Sequence, residues 1–254
     1  MRVTFLGTGT SHGVPMIGCT CPTCRSDDPR DRRWRPSIYI ELDDGVMVLV
    51  DTSPDLRAQA LEFHLPRVDA ILFTHSHADH VFGLDEMRRF NAMQGSAIPC
   101  YGDAHTIAEI RRTFSYVFGD ATSRGGGLPQ LETRIIDGPF DIGGTTIVPV
   151  PLVHGRLPIL GFRIGTFAYL TDCSVIPDGS WPLLEGLEVV VLDALRERPH
   201  PTHFSLSEAL GAAERIGAGR TYFTHICHEL RHQPTSARLR AGVELAYDGL
   251  TVLI

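Results

Sequence analysis

The stretch THSHADH, residues 74–80, follows directly on the apolar run AILF (residues 70–73) and puts three histidines and an aspartate into seven positions. In an extended segment residues two apart share a side, so His75 and His77 converge on one point as the chain leaves a strand. Asp79 and His80 lie past a bend and can address a second point nearby. Imidazole mixed with carboxylate is the ligand set preferred by zinc, manganese and iron. A lone histidine is ordinarily a surface or hydrogen-bonded residue; four ligand-type side chains within six positions at a strand end predict a metal site.

Two metals need more than four ligands, and other strand ends offer them: His154 after VPVPLV, Asp172 after FAYLT and His225 after RTYFT. Taken singly, each reads first as a turn or capping residue, the common role of a strand-ending His or Asp. Their shared placement favours a common centre. Asp172 is suited to bridging, since a carboxylate can give one oxygen to each of two ions roughly 3.5–4 Å apart.

Short β-type runs punctuated by glycine, proline and aspartate dominate the chain: RVTFL, SIYIEL, VMVLVD, VDAILFTH, TTIVPVPL, LGFRIG, FAYLTD, LEVVVLDAL and RTYFTH. GVELAYDGLTVLI at the end reads as a closing hairpin around an Asp248-Gly249 turn. Helical patterns lie between: SPDLRAQALEFH with Ser53 as N-cap and Pro54 at the first helical position, FGLDEMRRFNAM, DAHTIAEIRRTFSYVF, and SLSEALGAAERIG, which pairs a Ser205 cap with Glu208 and stops at Gly217. Strands and helices alternate irregularly, so the expectation is a single domain over 1–254 with sheet layers covered by helices, an α/β or α+β sandwich. Residues 24–36 and 119–130, rich in charge, glycine or proline, read as the mobile segments; the first reads as a solvated loop in preference to an ordered substrate wall, since mixed charges usually face water.

The 254 residues carry 23 basic and 30 acidic side chains, a net charge of −7 that gives no electrostatic reason to expect a nucleic-acid partner. Every basic residue is arginine, which excludes Schiff-base catalysis and a GK[ST] phosphate loop while leaving bidentate arginine recognition open. The absence of a long apolar window and of a signal-peptide pattern predicts a cytoplasmic protein with no membrane partner. Of six cysteines three are packed into GCTCPTC, too close for a disulfide framework and typical of a metal site. The glycines of GTGTSHG lack the GxGxxG spacing and suit a loop passing close to the centre; His12 within it either reaches the substrate or is inert.

THSHADH together with PLVHG, YLTDC and FTHICHE resembles the metallo-β-lactamase superfamily, and the pattern HxHxDH, H, D, H is met in order. The resemblance implies an αβ/βα four-layer sandwich with metals at one edge of two facing sheets. It implies that His75, His77 and His154 hold one ion, that Asp79, His80 and His225 hold the other, and that Asp172 bridges. The opening GTGTSHGVPMIGCTCPTC is similar to the phosphoribosyl 1,2-cyclic phosphate phosphodiesterase branch. That similarity implies a separate structural zinc on Cys19, Cys21, Cys24 and His228, and a general acid or phosphate contact at His203, with His200 the close competitor. The cofactors implied are thus two divalent ions, zinc or manganese, plus one structural zinc.

The chemistry expected is hydrolysis of a small cyclic or nucleotide-like phosphate ester, a hydroxide between the two cations being the nucleophile and Asp79 among the residues that hold the catalytic ions. Other readings share parts of the pattern. A tRNA 3′-processing endonuclease would need a long basic arm, which is not evident, and a glyoxalase-type thioester hydrolase would carry a C-terminal helical domain where a hairpin is expected. Redox members carry HxExD, and His77 stands at the glutamate position. A zinc-stabilised, non-catalytic nucleotide sensor is the reading from outside enzymology. A homodimer is left open.

Overall fold

The computed structural model describes residues 1–119 and 127–254. Two seven-stranded sheets face each other. The first contains β1 (Arg2–Gly7), β2 (Ser37–Glu41), β3 (Met47–Val50), β4 (Ala70–Leu72), β5 (Ile98–Gly102), β6 (Leu131–Ile135) and β14 (Thr251–Leu253), in the order β14, β1, β2, β3, β4, β5, β6. The second contains β7 (Phe140–Ile142), β8 (Thr145–His154), β9 (Leu157–Ile164), β10 (Phe167–Leu170), β11 (Val189–Asp193), β12 (Arg220–Thr224) and β13 (Val243–Leu245), in the order β13, β12, β11, β10, β9, β8, β7. Helices α1 (Leu56–Glu62), α3 (Met87–Gln94) and α4 (Ala104–Thr113) cover the first sheet, and α6 (Leu206–Ile216) covers the second. The expected αβ/βα sandwich is the fold.

Strand patterning explains the layers. Between the sheets pack Phe5, Ile38, Val50 and Leu72 against Phe162, Tyr169, Val191 and Tyr222. Their strand neighbours point the other way: Leu49, Ile71 and Phe73 meet Leu56, Met87 and Ile110, while Val190, Leu192 and Phe223 meet Leu206, Ala209 and Ala213. Strands covered on both faces read as continuous apolar runs, as AILF and VVVL do. β3 to β6 run parallel, as do β10 to β13, so each sheet sends the carboxyl ends of its central strands to one edge. Ligand-bearing loops belong at such an edge.

Four local expectations are corrected. The last two strands are not a hairpin: β13 pairs with β12 and β14 with β1, so the chain crosses between sheets at the Asp248-Gly249 turn. Asp248 is half-buried there, accepting from Thr8 N (2.9 Å), Thr8 Oγ1 (2.7 Å) and Trp34 N (2.7 Å). Ser53 does not cap α1, which begins at Leu56; its hydroxyl donates instead to Gln59 Oε1 at 2.9 Å. The third helical pattern divides at Phe114 (φ −103°, ψ 45°) into α4 and α5 (Ser115–Phe118). Residues 24–36 are not simply solvated, because Arg33 is fully buried, donating to the carbonyls of Cys227 (3.2 Å) and Leu230 (2.9 Å) and facing Asp31 at 3.3 Å. Of the second candidate mobile segment, residues 120–126 lie outside the described residues. Ser205 behaves as expected, forming a reciprocal capping box with Glu208, and Gly217 ends α6 at φ 68°. Among the described residues no helix is long and apolar enough to cross a membrane.

Candidate metal centre

His75 and His77 follow the end of β4, His77 with extended backbone (φ −64°, ψ 153°), and His75 Nε2 lies 3.0 Å from His77 Nδ1. The His154 ring, at the end of β8, stands 5.5 and 5.0 Å from the other two. Asp79 and His80 occupy the single turn of α2 (Ala78–Val81) and face the opposite way, toward Asp172 after β10 and His225 after β12. His80 Nε2 lies 3.3 Å from Asp172 Oδ2 and 3.5 Å from Asp79 Oδ2. His225 Nε2 lies 3.2 and 3.7 Å from the same two oxygens.

Hydrogen bonds behind the rings fix which nitrogens face inward. Thr74 donates its hydroxyl to Asp51 Oδ2 (2.8 Å), so its oxygen is left to accept from His75 Nδ1 (3.0 Å). His80 Nδ1 donates to Asp51 Oδ2 (2.7 Å), and His154 Nδ1 donates to the Thr202 carbonyl (2.7 Å). In all three the Nε2 lone pair then points into the centre. His80 Nε2 and His225 Nε2 are buried without a hydrogen-bond partner, facing carboxylates that are also acceptors. Lone pairs converging on lone pairs call for a cation. Tetrahedral zinc bound at 2.0–2.2 Å spaces its donors roughly 3.3–3.6 Å apart, and the four imidazole–carboxylate separations, 3.2, 3.3, 3.5 and 3.7 Å, bracket that spacing.

Electrostatics agree. Against strong burial, Asp172, Asp79 and Asp51 push His80 well above the ordinary imidazole range, and Asp172 and Asp79 raise His225. Against the same burial, His80 and His225 hold Asp79 far below the carboxylate range, and His225 and His80 do so for Asp172. On the other side, burial and then neighbouring histidines lower His75 and His77. Three buried carboxylates therefore create a demand for positive charge between α2 and the second sheet. Asp51, Asp172 and His225 have φ of 62°, 58° and 58°, a left-handed backbone uncommon for residues other than glycine. Strain of this kind persists where surrounding structure holds it, here partly through Asp51 N donating to Leu72 O and Ile226 N to Thr8 O.

Asp51 and Asp193 were not singled out by the sequence reading. Asp193 ends β11, with Oδ2 3.3 Å from His203 Nδ1 and Oδ1 3.5 Å from His225 Nδ1. Both follow apolar runs, VMVLV and VVVL, the signal that marked Asp172. His203 stacks on His225 (4.6 Å, 14°) and lies 4.6 Å from His154. Burial and then His225 push it down to about 3. His200 sits farther out, its Nδ1 3.1 Å from Thr202 Oγ1. His12 lines a cavity shared with His200 and His203.

The cysteine trio forms a second cluster. Sγ of Cys19, Cys21 and Cys24 lie 3.2, 3.4 and 3.7 Å from His228 Nδ1, around the roughly 3.5 Å expected between sulfur and nitrogen on one tetrahedral zinc. Burial drives Cys24 up to about 11; against burial, the Cys24 N–H and the neighbouring thiols bring Cys21 down to about 6. Cys100, Cys173 and Cys227 are buried elsewhere and belong to neither cluster.

Residues 47–226 match the model of the β-lactamase superfamily domain. The chain belongs to the β-lactamase superfamily. A crystal structure described as a new diphosphatase from the PhnP family superposes with a TM-score of 0.93 at 44% identity, covering 100% of this chain and 97% of that one, which places the chain in the PhnP family as well. A curated relative, an octanoyltransferase of Porphyromonas gingivalis, is 38% identical over 256 residues; all of this chain is covered but it spans only 52% of that longer protein. Zinc-bound PqqB from Methylobacterium extorquens shares the fold, with a TM-score of 0.82, 20% identity and full coverage of both chains. The superfamily fold and its PhnP-family relationship make this chain a metal-dependent hydrolase.

Proposed function

We propose that this β-lactamase superfamily member is a phosphodiesterase acting on small cyclic or nucleotide-like phosphate esters with two divalent ions, zinc or manganese. His75, His77 and His154 would hold one ion, Asp79, His80 and His225 the other, and Asp172 would lie between them. The observation that carries the reading is Asp172 Oδ2, within 3.3 Å of two buried, partnerless imidazole nitrogens and grouped also with His154. When bound, the ions would supply an activated water and neutralise the phosphoryl oxygens. Cys19, Cys21, Cys24 and His228 would hold a structural zinc.

The chain's own groups do the rest. Asp51 orients His75, through Thr74, and His80. Asp193 faces the Nδ1 edges of His203 and His225, which leaves His203 Nε2 to hand a proton to the departing oxygen. His203 stands neutral by itself, and an anionic phosphoryl group beside it favours its protonated form. A ribose alkoxide leaves poorly, so this proton is worth about 10²–10⁴-fold.

Diphosphate hydrolysis is a second reading, favoured by the description of the 44% identical relative as a diphosphatase. The two readings differ at His203, because a phosphate leaving group needs no proton. The test is turnover by metal-reconstituted protein of cyclic phosphates, linear nucleotide diesters, diphosphate-linked nucleotides and precursor tRNA. Asp172→Ala serves as control and His203→Ala as discriminator. Diester turnover that collapses in both variants supports the phosphodiesterase; diphosphate turnover indifferent to His203→Ala supports the second reading. Cleavage of precursor tRNA alone points to the nuclease, and metal binding without turnover to a sensor.

A further inference from the structure

Two cavities meet under the loop GTGTSHGVP (residues 7–15). The inner one, about 230 Å³, is bounded by His203, His200 and Arg196; the outer one, about 560 Å³, is walled by Trp34, Phe63, Arg32 and Glu62. His12 and Gly13 line both, so the two cavities adjoin at these residues, and His203, whose ring stacks on that of His225, borders the inner one. The larger volume is that of a typical small-molecule site, roughly 300–1,000 Å³.

The charges in the outer wall are mostly committed. Arg33 is spent on Asp31 and two carbonyls, Arg35 donates to Asp55 Oδ1 at 2.7 Å, and Asp248 accepts from Thr8 and Trp34. Among the described residues this leaves Arg32 and Glu62 as the wall residues whose charged side chains make neither an ion pair nor a hydrogen bond. Beside them the Trp34 main chain is held at both polar groups, its backbone N–H donating to Asp248 at 2.7 Å and its backbone carbonyl accepting from Gly9 N at 2.8 Å, while its ring meets Phe63 at 5.9 Å and 77°. A half-buried indole next to an uncommitted guanidinium suits a planar base attached to a phosphate.

We infer that the outer cavity seats a nucleoside phosphate, with the base on Trp34 and the phosphate on Arg32. The substrate is then a nucleotide-containing ester whose scissile phosphorus reaches the metals through the inner cavity. Glu62 offers an acceptor for sugar hydroxyls. The inference deepens the proposed function and names its substrate class.

Fluorescence tests it directly, because the chain has two tryptophans and Trp181 is covered by Arg215 at 3.7 Å in the layer beneath α6. In a Trp181→Phe holoenzyme, AMP is expected to quench Trp34 saturably, adenosine more weakly, and ribose 5-phosphate not at all. Arg32→Ala, an exposed change, is expected to raise the Kd for AMP about tenfold, and Trp34→Leu to lower kcat/KM for nucleotide esters roughly 10–100-fold more than for a base-free cyclic ribose phosphate. No quenching by AMP, or an unchanged Kd in Arg32→Ala, overturns the subsite. Quenching in a protein that turns over no phosphate ester keeps the subsite and sinks the hydrolase reading; base-free turnover without quenching does the reverse.

Discussion

The two ligand clusters are built on opposite principles. Cys19, Cys21 and Cys24 come from six consecutive positions of one half-exposed loop and need only His228 from elsewhere. The histidine-aspartate centre gathers residues from positions 75 to 225, largely buried, delivered by the ends of four strands, β4, β8, β10 and β12, and by the turn α2. A local cluster can depend on its metal for its own folding; a distributed one is positioned by two sheets whose apolar layers fold with or without it. Only two residues separate His225 from His228, so the 225–230 loop joins the two, held by Arg33 and by Ile226 N donating to Thr8 O.

The contrast is broken most sharply at Asp172. Asp172→Ala should cut turnover by about 10³-fold or more, losing several kcal/mol of charge stabilisation. Thermal unfolding should shift by only a few degrees, and a melt showing global unfolding would erase the distinction. Cys24→Ser should do the opposite, removing one equivalent of zinc and lowering Tm by roughly 10 °C, with metal analysis and calorimetry as the readouts. Asp51→Asn and Asp193→Asn, which alter what the ligand rings lean on, should each cost about 10–100-fold in active-site metal affinity or activity. Titration with manganese under competition would register the loss.

The smallest effect concerns the crossing between the sheets. Asp248→Asn leaves one of its three donors unmatched, a cost of about 1–3 kcal/mol. Burial pushes Asp248 up to about 7, above its ordinary 3.8, so the folded state binds this proton more tightly than the unfolded chain. Its contribution is complete below about pH 4 and is lost as pH rises through about 7. The deficit of the variant should therefore shrink between pH 4 and pH 8 in denaturant titrations, and a deficit that widens would reverse the assignment.

How far the sequence carries depends on range. THSHADH and the residues ending FAYLT, RTYFT and VPVPLV were legible because apolar runs covered on both faces announce buried strands, and chemistry-bearing residues stand out where those runs stop. Asp51 and Asp193 carried the same mark yet passed as strand punctuation, since nothing local separates an aspartate that ends a strand from one that orients a ligand. The Asp-Gly turn before the last strand satisfied every local rule for a hairpin, and the pairing of β14 with β1, 247 positions away at Thr4 and Thr251, overrode it. Residues 24–36 looked solvated because the burial of Arg33 depends on carbonyls near residue 230, which no local window contains.

The central claim is that Asp172 stands between two cations. Anomalous diffraction from manganese- or zinc-loaded crystals measures this directly. Two peaks roughly 3.5–4 Å apart on either side of the Asp172 carboxylate, with a separate zinc peak among Cys19, Cys21, Cys24 and His228, are the predicted result. Density for one ion alone, or for a pair that leaves Asp172 uncoordinated, would contradict it.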